Sequence, residues 1–227
     1  MLHRIFLTAL LAGALAGVCL FVAHMMTTTP LILKAEVYEF GASSHQSTDG
    51  AQNNASNAND HAPGGGLVRS AYSLLADLLT SMGFAFLLVG AMALGGQRVD
   101  MKRGLIWGLC GFASLTVAPA FGLAPELPGM QSADLQARQL WWLGTAVATA
   151  GGLALIFLGR RQIFKYVAPV LIVLPHVIGA PEHGQYSGDV PAALASEFAI
   201  ATLVVSGLFW LLLGGLAGYF YNRFEKD

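Results

Sequence analysis

The sequence predicts an all-α integral membrane protein, a bundle of about six transmembrane helices, and two observations lead to this prediction. Hydrophobic residues make up 55% of the 227 residues and charged residues only 11%, whereas a soluble domain carries about 25% charged residues. The apolar residues also fall in long runs, and a helix needs about 20 mostly apolar residues to span a bilayer. A lipid bilayer is therefore the expected surrounding of the chain.

Six runs qualify as spans, and we expect residues 1–227 to form a single membrane domain. The runs are approximately Ile5–Met26, Ala71–Leu94, Gly104–Phe121, Leu140–Gly159, Ile163–Gly179 and Ala193–Tyr221. The first run resembles a signal peptide, but its length of about 22 residues exceeds the roughly 7–15 of a signal h-region and no A-x-A site follows. We expect it to be a retained span. The fifth run is short and contains Pro169 and Pro175, which predict a kink, or a re-entrant or broken helix.

The basic residues favour six spans with both termini in the cytoplasm. With six spans, one side carries nine basic residues: Arg4, Arg98, Lys102, Arg103, Arg160, Arg161, Lys165, Arg223 and Lys226. The other side carries three: Lys34, Arg69 and Arg138. The positive-inside rule places the side with nine in the cytoplasm. Three GxxxG motifs, Gly13/Gly17, Gly104/Gly108 and Gly214/Gly218, indicate close helix packing, within the bundle or with a partner helix.

The predicted outer side begins with a long loop that divides in two. Its first part, Leu31–Phe40, has an ordered character, and Glu36 and Glu39 lie one helical turn apart. Its second part, Gly41–Gly66, is polar and rich in glycine, so it buries too little apolar surface to fold. We expect this second part to be a flexible extracytoplasmic tether between spans one and two.

The motifs of common enzymes are absent from the sequence. It contains no GxxxxGK[ST], HExxH, GxSxG or CxxCH pattern, which predicts a protein that is not an enzyme and has no prosthetic group. A net charge of −1 indicates no attraction to nucleic acid. Cys19 and Cys110 lie inside apolar runs and form no zinc-ligand spacing.

The outer side is instead rich in histidine and acid, and the stretch LPHVIGAPEHG, residues 174–184, is the clearest case. His176 follows Pro175 at the end of span five, and a turn at Gly179 would bring His183 near it. His24 lies at the outer end of span one. Imidazole and carboxylate groups suit cobalt, nickel and zinc. The alternative for each histidine is an ordinary place at the membrane interface.

Two acidic residues complete the predicted metal contacts. Asp77 falls inside span two, where an ionisable side chain is costly and is a functional candidate by default, although it lies near enough to the outer end to face water. Glu126 lies between prolines in APELPGM, where a solvated turn is the alternative. His45 and His61 lie in the predicted tether and form no defined site.

Several of these segments resemble the CbtA family of predicted cobalt transporter subunits. The matching stretches run in order along the chain: LTALLAGALAG, PLILKAEVYE, GFAFLLVGAMAL, RGLIWGLCGFASLTVAPAFGLAPELPGM, ARQLWWLGTAVATAGGLAL, LPHVIGAP and FWLLLGGLAG. The resemblance implies a bacterial inner-membrane protein that supplies cobalt for cobalamin synthesis. It also implies a small partner, CbtB, with one span and a histidine-rich end. Of the candidate ligands, Glu36, Glu39, Glu126 and His176 lie inside the matching stretches.

The sequence thus predicts a cobalt(II) or nickel(II) uptake subunit that captures the ion with His176, His183, His24, Glu36, Glu39, Glu126 and Asp77. Two alternatives stay open at this point. One is a membrane haem or electron-transfer subunit, with His24 and His176 as axial ligands. The other is a non-transporting scaffold for the small partner, which would use the GxxxG faces rather than the histidines.

Overall fold

The computed structural model describes residues 2–44, 66–96, 99–130, 132–182 and 190–225, and the regular structure in these ranges is helical throughout. The helices are α1 (Leu2–Met26), α2 (Thr28–Ser44), α3 (Gly66–Leu94), α4 (Met101–Phe112), a π-helical segment (Ala113–Val117), α5 (Ala118–Ala120), α6 (Leu135–Leu158), α7 (Phe164–Ile178) and α8 (Ala192–Arg223). Within the described ranges, four helices, α1, α3, α6 and α8, are long and apolar enough to cross a membrane. The predicted all-helical membrane class is confirmed.

The third predicted span differs from the other long ones because its helix is interrupted. The N–H of Ala118 bonds the carbonyl of Ala113, five residues back, which defines the π-helical segment. The next residue, Pro119, has no N–H to donate. The carbonyl of Ser114 therefore loses both its α-helical and its π-helical donor. We did not predict this interruption, although Pro119 is the residue that signals it.

The fifth predicted span is the helix α7, which has 15 residues and contains both Pro169 and Pro175. At 1.5 Å per residue it is about 22 Å long, shorter than the roughly 30 Å of a bilayer core. The prediction of a short, proline-containing segment here agrees with the structure. The count of six spans stays a prediction.

Helix α2 covers the segment that we expected to be ordered and follows α1 after one residue, Thr27. It runs to Ser44, and α3 begins at Gly66, so the described helices include both edges of the predicted tether Gly41–Gly66. Residues 45–65 lie outside the described residues, as do His45 and His61. The tether therefore stays a prediction.

The long helices pack in antiparallel pairs. In the α1–α3 pair, Gly13 faces Met82 and Gly17 faces Leu78. In α6–α7, the indole N–H of Trp141 lies 3.3 Å from the carbonyl of Pro175, near the opposite ends of the two helices. Helix α1 also packs on α8, whereas α7 contacts α6 alone among the described helices. Helix α6 in turn contacts the π-helical segment and α5, and α4 only slightly.

This packing gives the bundle two ends of different chemistry. The basic end holds the start of α1 and the end of α8, where Arg4 Nε lies 2.8 Å from the Tyr221 carbonyl and Arg4 Nη2 lies 3.1 Å from Glu225. It also holds the residues that begin α4 and that join α6 to α7: Lys102, Arg103, Arg160, Arg161 and Lys165. The opposite, His/acid end holds His24, Asp77, Glu126 and His176. Arg98 and Lys226 lie outside the described residues, and the side of the membrane that each end faces stays a prediction.

All three GxxxG motifs are used inside the chain. A β-carbon on Gly104 would lie 2.8 Å from the Gly218 α-carbon, and one on Gly214 would lie 2.8 Å from the Gly108 α-carbon. The backbones of α4 and α8 are therefore in direct contact. A β-carbon on Gly13 would lie 2.7 Å from the Met82 α-carbon. Small residues allow this approach, which supplies the dispersion and packing energy that holds helices together in lipid.

Trp210 of α8 ties the interrupted helix to the core. Its side chain is 3% exposed, and its ring lies 5.1 Å from that of Phe84 in α3. The ring also occupies the space beside Gly111, where a β-carbon would collide with it. Its indole Nε1 lies 3.2 Å from Thr116 Oγ1 in the π-helical segment. This hydrogen bond joins α8 to the segment where the regular helical bonds fail.

Replacing Thr116 with valine is expected to lower the free energy of unfolding by about 1–2 kcal/mol, because it leaves the buried Trp210 N–H without an acceptor at almost constant volume. Equilibrium unfolding in mixed detergent micelles measures the change. The effect should disappear in a Trp210→Phe background, where no N–H is left to satisfy. An equal loss in both backgrounds would mean that the hydroxyl acts in some other way.

Candidate functional site

The His/acid end carries a paired histidine and carboxylate between α1 and α3. His24 Nδ1 lies 3.2 Å from both carboxylate oxygens of Asp77. The two side chains are 33% and 16% exposed. They are held together because Gly17, two turns before His24, lets α1 approach α3 at Asp77 and Leu78. The sequence predicted both residues as metal contacts without predicting that they touch each other.

The geometry indicates which tautomer of His24 fits the pair. With Asp77 as a carboxylate, Nδ1 carries the hydrogen and donates it to the two oxygens. In a neutral ring the other nitrogen, Nε2, then holds the lone pair. Histidines that bind metals commonly have this arrangement, in which a carboxylate fixes the tautomer and the orientation of the ring.

An ion pair lies between α2 and α3. Arg69 Nη2 lies 2.6 Å from Glu36 Oε1 and Arg69 Nη1 lies 3.3 Å from Glu36 Oε2, a bidentate contact. Both side chains are partly exposed. The guanidinium therefore occupies the carboxylate that we predicted as a metal contact. Glu39 belongs to α2, and its side chain lies outside the described residues.

Glu126 is held in the loop that joins α5 to α6. Its carboxylate is 11% exposed, and Oε2 lies 2.9 Å from Arg138 Nη2. The Ser132 hydroxyl also donates to Oε2. Arg138 lies in the first turn of α6, whose start is capped by Asp134 accepting from the Ala137 N–H at 3.0 Å. The structure thus uses Glu126 to fasten the loop to α6, and it is not the solvated turn that we offered as the alternative.

A cavity of about 590 Å³ opens beside this pair. One wall comes from the interrupted helix, one from the loop after α5, and one from the start of α6. Its lining is mostly apolar: Leu115, Thr116, Pro119, Ala120, Leu123, Ala124, Pro125, Glu126, Leu135, Arg138, Gln139, Trp142 and Leu143. The cavity was not predicted, because its walls come from segments up to 28 positions apart.

His176 lies in an aromatic setting near the end of α7. Its ring centroid is 5.9 Å from that of Trp141 and 6.1 Å from that of Phe121, both edge-on. The Trp141 indole bonds the carbonyl of the preceding residue, Pro175. These contacts fix the position of the imidazole on the α6–α7 pair. His183, its predicted neighbour, lies outside the described residues.

The predicted contacts thus fall into separate places rather than one. His24 and His176 lie on α1 and α7, two helices that do not contact each other. Across the described residues, no three side chains of His, Cys, Asp or Glu are grouped so as to hold a metal ion. Sequence reasoning missed Arg69 and Arg138 as partners of the acids; their positions on the same predicted side as Glu36 and Glu126 were the available signal.

Comparison with known proteins identifies a matching family. The model of a family described as probable cobalt transporter subunit (CbtA) matches residues 2–222. The matched residues include the His24–Asp77 pair, the cavity and His176. No curated protein and no solved structure matches the chain.

Proposed function

This chain belongs to the CbtA family of probable cobalt transporter subunits, and from that membership we propose that it carries cobalt(II), or nickel(II), across the bacterial inner membrane for cobalamin synthesis. A transporter subunit is not an enzyme, and it works with other subunits. We propose that the ion enters at the His/acid end and that both termini face the cytoplasm. The concentration of arginine and lysine at the opposite end supports this orientation.

The observation that carries the proposal is the His24–Asp77 pair. We assign His24 Nε2 as an ion ligand and Asp77 as the residue that orients the ring through Nδ1. A carboxylate 3.2 Å from the ring also makes the imidazole a stronger ligand for a cation. The partial burial of both side chains strengthens these interactions, because the local dielectric constant is lower than in water.

His176 is proposed as a second, separate contact at the same end of the bundle. Glu36 and Glu126 rank below the two histidines, because arginine side chains already engage their carboxylates. A cation would have to displace a guanidinium to reach either one. Glu39 and His183 remain proposed contacts on the sequence alone.

The driving force in this proposal is the membrane potential or a separate protein, since the chain carries no P-loop motif. A potential of 100 mV is worth about 2.3 kcal/mol for each elementary charge that crosses, or about 4.6 kcal/mol for a divalent ion. The proposed partner is a small, single-span, histidine-rich subunit of the CbtB type. Its histidines would raise the ion concentration at the entrance.

The two alternatives have less support. A membrane haem subunit with His24 and His176 as axial ligands agrees less well than an ion path with a family described as a probable cobalt transporter subunit. The scaffold alternative relied on free GxxxG faces. Gly104, Gly108, Gly214 and Gly218 instead pack on one another within the chain.

Radiocobalt uptake tests the proposal in cells that lack other cobalt importers. The chain is expressed alone and with its small partner, and its presence in the membrane is checked by immunoblotting. We expect uptake above that of empty cells when both proteins are present. Uptake equal to that of empty cells, with both proteins in the membrane, would overturn the transport function.

Replacing His176 with alanine or with phenylalanine is expected to reduce uptake several-fold at low cobalt and little at saturating cobalt, because a ligand for capture is lost. Phenylalanine keeps an aromatic ring between Trp141 and Phe121, so it should preserve the thermal stability that alanine lowers. Uptake assays and detergent-phase melting curves separate the two effects. If phenylalanine supports normal uptake, His176 serves packing and is no ligand.

A further inference from the structure

The cavity beside α6 lies at the level where the membrane surface is expected. It is bounded by the first two turns of α6. Trp142, which follows Trp141 in the sequence, is part of its lining. Tryptophan concentrates at the boundary between the headgroups and the acyl chains. A ligand for this cavity can therefore enter from the lipid, with one end in hydrocarbon and the other in the headgroup layer.

Most of the cavity lining suits hydrocarbon. It includes the apolar side chains of Leu115, Pro119, Trp142 and Leu143. Leu143 is 54% exposed, and Val147, one turn further along the same face of α6, is 63% exposed. The apolar surface thus continues from the cavity along α6 toward the basic end, the direction in which an acyl chain would extend.

The lining of the cavity also includes two opposite charges side by side. Glu126 Oε2 and Arg138 Nη2 are 2.9 Å apart, and both residues line the cavity. An anionic headgroup would meet the arginine but also the carboxylate. Because the two side chains engage each other, a headgroup must exchange partners with both. A headgroup with a phosphate and an ammonium group can do so, with phosphate replacing the carboxylate at Arg138 and ammonium replacing the guanidinium at Glu126. A primary ammonium donates hydrogen bonds to a carboxylate, which a quaternary ammonium cannot do.

We propose that this cavity is a binding site for one zwitterionic phospholipid with a primary amine, of the phosphatidylethanolamine class, its headgroup on Glu126 and Arg138 and one acyl chain along Leu115, Trp142 and Leu143. The volume of about 590 Å³ lies in the range of small-ligand sites, about 300–1,000 Å³. The bound lipid would join the α6–α7 pair to the interrupted helix, and this inference does not depend on which ion is transported.

Native mass spectrometry of the full chain tests the proposal. The protein is delipidated and then titrated with phosphatidylethanolamine, phosphatidylcholine and phosphatidylglycerol that carry the same acyl chains. We expect at least one phosphatidylethanolamine to bind about tenfold more tightly than either of the other two lipids. Glu126→Gln should remove the preference over phosphatidylcholine, and Arg138→Gln should weaken the binding of every phospholipid.

Two variants that fill the cavity locate the site. Ala120→Phe and Ala124→Phe place a ring inside it and should each reduce lipid retention about tenfold. Ala150→Phe adds the same ring to an exposed position of α6 outside the cavity and should change nothing. Ala124 is itself exposed, so this variant keeps the test valid if Ala120→Phe fails to fold.

Four results would overturn the proposal. The first is equal retention of all three lipids, and the second is a preference for phosphatidylglycerol. The third is lipid retention that survives both cavity-filling variants. A co-purifying protein chain that these variants displace, in place of lipid, would likewise overturn it and assign the cavity to a partner.

Discussion

Replacing Gly108 with alanine is expected to destabilise the bundle by about 3 kcal/mol or more, whereas the same replacement at Gly144 should be neutral or slightly stabilising. A β-carbon on Gly108 would lie 3.1 Å from the Gly214 α-carbon and closer still to the carbonyl of Trp210. These are backbone atoms, so α4 and α8 must move apart as a whole. Overpacking a core by a methyl group costs about 1–3 kcal/mol where side chains can adjust, and here they cannot.

Gly144 provides the matched control, because a β-carbon there meets nothing within 4 Å. Alanine favours a helix over glycine by about 1 kcal/mol, so the two variants should differ in the sign of their effect. Equilibrium unfolding in mixed micelles and the yield of monodisperse protein measure both. Equal stability of the two variants would show that the glycine contact between α4 and α8 does not hold the bundle together.

Replacing His24 with alanine is expected to lower the uptake of cobalt at low concentration by at least tenfold. The variant removes the nitrogen that we assign as a ligand, together with the group that faces the Asp77 carboxylate. His3→Ala is the matched control, since His3 lies on the same helix but in its exposed first turn at the basic end. It should leave uptake unchanged.

The Asp77→Asn variant tests whether Asp77 orients the His24 ring or binds the ion itself. An asparagine carries no charge and is a weaker acceptor for His24 Nδ1, and impairment of such an outer partner typically costs 10–100-fold in metal affinity. Loss of affinity with a nitrogen ligand still visible by X-ray absorption at bound cobalt would assign Asp77 to orientation. Full uptake by both His24→Ala and Asp77→Asn, at normal protein levels, would remove the pair from the ion path.

The separation between the two ends of the molecule was largely predictable from the sequence. Basic residues and histidine or acidic residues alternate between successive connections, and antiparallel packing of consecutive helices gathers each class at one end. The candidate site was predictable only in part. His24 and Asp77 were both expected at the His/acid end, but a contact across 53 positions depends on how α1 and α3 pack, and Gly17 makes that contact close.

The pairing of the glycine motifs was likewise predictable from the sequence only in part. Gly104/Gly108 and Gly214/Gly218 predicted close packing, since small residues allow helix backbones to approach. Which helices approach each other is decided by the bundle as a whole, because every GxxxG face can accept several partners. The structure pairs α4 with α8 and leaves Gly144 and Gly151 uncovered, a difference that no local pattern contains.

The sequence by itself determined the lipid surroundings of the chain, its helical class and the chemical difference between its two ends. These depend on composition and on the order of residues along the chain. Only the tertiary structure decided which charged and polar groups contact one another. The carboxylates of Glu36 and Glu126 are engaged by Arg69 and Arg138, and Asp77 is engaged by His24. A side chain becomes a ligand or a structural contact according to what lies within hydrogen-bond distance, and that distance is set by helix packing.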